Sequence, residues 1–93
     1  MITFTSSPDQ TFSATINGEL YTFQAVYNGN YDFWSLYISQ NDYVLAAGIK
    51  MVTKSPLTEQ YPNIPFDLQS DYSEDANGDN IEEFTLEVTS KNA

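Results

Sequence analysis

Asn17-Gly18 stands between two runs of alternating residues, TFSATI at 11–16 and ELYTFQAVY at 19–27. A two-residue hairpin loop of type I′ needs positive φ at both central positions, which Asn followed by Gly adopts more readily than any other pair. Such a turn also fixes register, setting Ala14 opposite Tyr21 and Phe12 opposite Phe23. One face then collects Phe12, Ala14, Ile16, Tyr21, Phe23, Ala25 and Tyr27. The other receives Ser13, Thr15, Thr22 and Gln24, with Leu20 and Val26 as apolar exceptions. The agreement between turn-derived register and hydrophobic pattern commits the first third of the chain to an antiparallel hairpin.

Residues 27–52, YNGNYDFWSLYISQNDYVLAAGIKMV, read as a second hairpin that holds the only Trp, and the remaining chain is organised around it. After a turn at Asn28-Gly29-Asn30, Trp34, Leu36 and Ile38 alternate with Phe33, Ser35, Tyr37 and Ser39. With aromatics on both faces, this strand is expected to be covered on both sides. Gln40-Asn41-Asp42 turns the chain into YVLAAGIKMV. There the small residues Ala46, Ala47 and Gly48 mark a bulge, a corner, or a seat for Trp34. A helix over this run is disfavoured by Gly48, by the flanking β-branched residues and by the lack of a cap.

The flanks are less regular. ITFTS at 2–6 reads either as a short edge strand or as an arm, and Pro8 ends pairing there. Three prolines, Pro56, Pro62 and Pro65, make 55–65 a crossing loop pinned by Leu57, Tyr61 and Ile64. A brief strand is expected at 66–69. SDYSEDANGDN at 70–80 has the composition of a solvated or mobile acidic loop. The last strand is expected at 81–89, with Phe84, Leu86 and Val88 inward and Glu83, Thr85 and Glu87 outward. The total is about six or seven short strands, and either a small antiparallel barrel or a two-sheet sandwich buries the aromatic faces.

Ninety-three residues suffice for one domain, residues 1–93, with an N-terminal arm at 1–9. Without Cys or His the chain has no disulfide framework, no thiolate zinc site and no imidazole base. Three Lys, no Arg and thirteen acidic residues give a net charge of −10, the wrong sign for gripping a phosphate backbone. Direct nucleic-acid binding is therefore not expected, and neither is insertion into a membrane. No window is apolar and long enough to span one, and the N-terminus lacks the basic start and apolar core of a signal peptide. The expected site of synthesis is the cytosol, with export only inside an assembly.

Four patterns invite a chemical reading. Counted from Asp71 as a calcium loop, Asp71, Ser73, Asp75, Asn77, Asp79 and Glu82 occupy the ligand positions. Ala76 stands where that loop requires Gly, however, Gly78 stands where an apolar residue belongs, and no helices flank it. The pairs Glu82-Glu83 and Glu74-Asp75 offer carboxylates, but neighbours on a strand point to opposite faces and neighbours in a loop face solvent. Trp34 among Tyr31, Phe33 and Tyr37 has the makings of a sugar-stacking platform, although a lone Trp in a small β-domain more commonly anchors the core. No catalytic, cofactor or metal-binding residue is assigned, so no cofactor is expected. Tyr37, Tyr43, Tyr61 and Ile64 are the candidate partner contacts, Tyr being the residue type that interface rims favour.

The order of motifs carries a resemblance. It begins with a strand running into a Gly turn, from Phe12 to Gly18, followed by Tyr21 and Val26-Tyr27-Asn28. Next come Trp34, Leu36 and Ile38, a turn, Gly48-Ile49, Met51-Val52 and Pro56-Leu57. A Pro-rich crossing, an acidic segment and an apolar strand from Phe84 to Val88 complete it. In this the chain resembles the small baseplate plug proteins of contractile-tailed phages, the cyanophage type. The arm at 1–9 has no counterpart in the resemblance, and 66–68 lacks the Gly usual there. The resemblance implies a virion structural protein of the tail baseplate, made in the bacterial host cytoplasm. It would close the tube near hub and spike, in several copies around the tail axis, and would bring no catalytic residues. Two other classes fit the composition. One is an acidic inhibitor that mimics DNA charge, against which the clustering of carboxylates between Asp67 and Glu87 counts. The other is a carbohydrate- or peptide-binding module using Trp34 or Tyr37.

Overall fold

In the computed structural model, which describes residues 1–91, the chain forms six strands and no helix among the described residues. β1 (Asp9–Ile16), β2 (Glu19–Asn28), β3 (Phe33–Gln40) and β4 (Tyr43–Lys50) make one antiparallel sheet in sequential order. β5 (Phe66–Gln69) and β6 (Glu87–Ser90) pair separately. The two sheets do not close into a barrel, and the sandwich-like arrangement is the one of the two expected architectures that is found.

The first hairpin follows the turn chemistry. Asn17 and Gly18 have φ of 54° and 82°, and the register places Phe12 opposite Phe23 and Ala14 opposite Tyr21. β1 starts two residues earlier than the alternation suggests. The second hairpin uses Asn41 and Asp42, also at positive φ. β4 contains register shifts opposite Leu36, Ile38 and Ser39, and Gly48 lies at φ 71°, so the small-residue run is a bulged stretch.

The core lies between the sheets. Tyr21, Phe23, Ala25, Trp34, Leu36 and Ile38 point inward from β2 and β3 and meet Ile64, Phe66, Leu68, Phe84 and Leu86. Phe66 is the hinge of the aromatic packing, edge-on to Tyr21 at 4.9 Å and tilted against Phe23 at 6.4 Å.

Of the two readings of the N-terminal stretch, the strand does not form, and the stretch is tied down: Ile2 and Leu86 exchange backbone hydrogen bonds of 2.8 and 2.9 Å, and Phe4 packs edge-on against Phe12. Three expectations are corrected. The last strand is only four residues long, because Glu83 N and Phe84 N both donate to Asn80 O and hold 78–83 in turns. Phe84 and Leu86 still point inward, but through an irregular approach that local alternation imitates. β3 is covered on its inner face alone, its outer side leaving Tyr37 exposed and Phe33 half-buried. Finally, the acidic segment is built into the structure, with Ser70, Ala76 and Asn80 buried.

Candidate interaction surface

Two surface regions stand out, and each grows from a local rule. The first is the outer face of the four-stranded sheet. Strand alternation places there Thr11, Ser13 and Thr15 from β1, and Leu20, Thr22, Gln24 and Val26 from β2. β3 adds Phe33, Ser35, Tyr37 and Ser39, and β4 adds Val44 and Lys50. On a chain of net charge −10, this face carries charge only at its margin. Asp9 Oδ1 there accepts from Gln24 Nε2 at 2.9 Å, and Lys50 Nζ lies 5.3 Å from the centre of the Phe33 ring. Toward the two hairpin turns it ends in large apolar side chains open to solvent, with Leu20 at 60% and Val44 at 68% exposure.

The second region is the acidic lobe, residues 70–80, which docks on the opposite end of the sheet order from β1. Trp34 Nε1 donates to Asn77 O at 3.0 Å, Ala76 N to Met51 O at 3.1 Å, and Thr53 N to Asp75 Oδ1 at 2.8 Å. Thr53 Oγ1 donates to Tyr72 O, and Tyr72 Oη to Glu83 Oε2 at 2.7 Å. Inside the lobe, Asn77 Oδ1 accepts from the amides of Asp79 and Asn80, while Asn80 Oδ1 accepts from Asn77 N. The lobe is joined to the β2–β3 turn by one carboxylate: Asp32 Oδ1 accepts both Tyr27 Oη at 2.6 Å and Gly78 N at 2.8 Å. The Tyr27 hydroxyl, with help from the Gly78 amide, holds the Asp32 carboxyl below its ordinary range. The same bond pushes the Tyr27 phenol up, and the bond to Glu83 does so for Tyr72.

This wiring decides the chemical readings of the lobe. Asp75 and Asn77, two of the six calcium-loop positions, spend side-chain oxygens on backbone amides. Among the described residues no three acidic side chains converge where a metal ion would sit. A shallow depression lined by Tyr31, Asp32, Phe33, Lys50, Glu74, Asp75 and Asn77 lies between lobe and sheet, and two of its carboxylates, Asp32 and Asp75, are engaged with backbone donors.

The candidate contact residues separate. Tyr43 is 78% exposed beside the β3–β4 turn, Tyr37 is 37% exposed at the centre of the outer face, and Tyr61 is half-buried in the crossing loop. Ile64 is fully buried and belongs to the core, so its side chain is not offered to a partner. Of the two roles expected for Ile64, pinning the crossing loop is the one its burial fits. Trp34 is 1% exposed, leaving no ring face for sugar stacking. Leu20 and Val44 are exposed apolar residues outside the set of candidate contacts. The signal available for Leu20 is its place on the polar face of the first hairpin.

Fold and surface together define a small, two-sheet all-β protein whose distinguishing features are faces for contact. The chain belongs to the family of the cyanophage baseplate Pam3 plug gp18, whose model matches residues 1–90. The match includes the N-terminal arm, which the motif resemblance leaves without a counterpart. No curated protein matches the chain.

Proposed function

We propose that the protein is a structural component of a contractile phage tail baseplate, made in the host cytoplasm and incorporated into the virion. It would close the distal tube beside hub and spike in several copies around the tail axis, without catalysing a reaction. The observation that carries this reading is the family match over 1–90. The surface supports it. An outer sheet face almost free of charge, with exposed Tyr37 and Val44, is suited to seating against protein. A surface without Arg and with net charge −10 suits a part placed where DNA must pass without adhering. In this reading Tyr37, Tyr43 and Tyr61 make the contacts with neighbouring baseplate proteins. Mass spectrometry of purified virions, with cross-linking, tests it. Low fixed copy number and links to hub or spike proteins are expected. Absence from the particle, with free protein in infected cells, would overturn the assignment.

A further inference from the structure

An asparagine followed by glycine is prone to attack on its own side chain, because glycine has no Cβ to keep its amide nitrogen away from the carboxamide carbon. The chain has three such pairs, Asn17-Gly18, Asn28-Gly29 and Asn77-Gly78. In local chemistry they are alike, and the fold treats each differently.

At Asn77 both reacting groups are engaged. Its Oδ1 accepts from the amides of Asp79 at 2.8 Å and Asn80 at 3.0 Å, and the Gly78 amide that would attack donates to Asp32 Oδ1 at 2.8 Å. The space is filled as well, since a Cβ on Gly78 would meet the Tyr27 hydroxyl at 2.8 Å. Asn28 is partly held. Its Oδ1 accepts from Asn30 N at 3.0 Å, its backbone is paired with Phe33 at the end of β2, and the Tyr27 ring would lie 3.7 Å from a Cβ on Gly29. Asn17 has none of these restraints. It is exposed with Gly18 at the tip of the first hairpin, its side chain has no hydrogen-bond partner among the described residues, and nothing lies within 4 Å of a Cβ on Gly18. The Ile16–Glu19 pair closes the turn, so the Gly18 amide takes no part in the ladder and faces water.

We infer that Asn17 is a site of spontaneous covalent modification in the folded protein, converting to aspartate and isoaspartate, while Asn77 is protected for as long as the lobe stays docked. The Gly18 amide nitrogen attacks Asn17 Cγ. A bond forms between that nitrogen and Cγ, the Cγ–Nδ2 bond breaks, and the displaced amino group leaves as ammonia with the proton that the Gly18 amide gives up. One water molecule then opens the resulting succinimide ring. Cleavage between the Gly18 nitrogen and Cγ restores the original main chain with aspartate at 17. Cleavage of the original peptide bond leaves the chain running through Cγ, as isoaspartate. Only water is consumed, and no electrons change hands. The isoaspartyl product adds a backbone carbon to a two-residue turn whose geometry sets the β1–β2 register. Either product adds a carboxylate two positions from Glu19, at the end of the outer face where Leu20 and Val44 are exposed. This inference does not rest on the baseplate reading, and a chain absent from virions would be modified in the same way.

The test is peptide mapping by mass spectrometry of the full chain after incubation in mildly alkaline buffer, native and, in parallel, in denaturant. Unfolded, the three Asn-Gly pairs should convert at similar rates, since each is followed by the same residue. In the native protein Asn17 is expected to convert within a few-fold of its unfolded rate, and Asn77 at least about tenfold more slowly than its own, because a locked site reacts only through local opening. Asp32→Gly deletes the acceptor of the Gly78 amide and suits the φ of 54° at position 32. It should speed conversion at Asn77 and leave the rate at Asn17 unchanged. Native Asn17 that stays intact while the unfolded chain converts would overturn the inference. So would native Asn28 or Asn77 converting as fast as Asn17, or an Asp32→Gly variant, folded by circular dichroism, whose Asn77 is no less protected.

Discussion

Gly78 shows how one residue joins two parts of the chain. Its amide donates to Asp32 Oδ1, and a Cβ at that position would lie 2.8 Å from the Tyr27 hydroxyl and 3.2 Å from Asp32 Oδ1. The glycine is required by close approach, since its φ is not among the positive ones. Gly78→Ala is expected to cost about 1–3 kcal/mol through overpacking. Part of that cost should vanish in a Tyr27→Phe background, because the nearest clashing atom is the phenolic oxygen. Urea midpoints of the two single variants and the double variant measure the coupling, and simple additivity would show that the clash lies elsewhere. In the sequence Gly78 is visible only as a turn former within an acidic run. Its partners are 46 residues away at Asp32 and further still at Tyr27, and no local pattern reports such a contact. The core role of Trp34 is legible from its size alone, but its hydrogen bond to Asn77 O is not.

At the scale of elements, turns are legible wherever chemistry is confined to a few neighbouring residues. Asn17-Gly18 predicts both its conformation and its register, and Ala46-Ala47-Gly48 predicts a disturbed strand. The β3–β4 turn is the less favourable case, because Asn41 and Asp42 adopt φ of 51° and 66° without a glycine. Asp42→Gly should therefore raise stability by about 0.5–1 kcal/mol, the relief of left-handed strain exceeding the added freedom of the unfolded chain. Thermal unfolding measures it, and a loss of stability would mean that the Asp side chain contributes to the turn. The C-terminal alternation overstates its strand because the inward and outward placing of Phe84, Thr85 and Leu86 does not require ladder pairing. The bonds from Glu83 and Phe84 to Asn80 O make 78–83 a turn instead. The acidic lobe looks mobile in sequence because composition reports solvation. It does not report that Asp75, Asn77 and Asn80 can satisfy amides from their own lobe and from Thr53.

For the whole molecule, the tyrosine–carboxylate bonds define a pH window. Asp32 is held low by the Tyr27 hydroxyl and then the Gly78 amide, so its contribution is present above the ordinary carboxylate pKa of about 4 and is lost as pH falls through its lower folded value. Tyr27 and Tyr72 are raised by their bonds to Asp32 and Glu83, and Tyr21 chiefly by burial. Their contributions are present below the ordinary phenol pKa of about 10 and are lost as pH rises through the higher folded values. Melting temperature against pH should show a plateau between these limits. The combined variant Tyr27→Phe, Tyr72→Phe should shrink the alkaline fall, leaving the part due to Tyr21; an unchanged alkaline limb would refute the assignment. At this scale the two sources of information also part company. Local pattern and composition are enough for the strand class, the first hairpin and its register, the bulged β4 and the anionic surface. Each of these follows from residues within a few positions of one another or from a sum over all of them. It takes the folded molecule to show that the sheet stays open and that the arm and lobe are bound to the sandwich. These depend on which distant backbone groups find partners, and the free energy of such pairings resides in the packed whole rather than in any one segment.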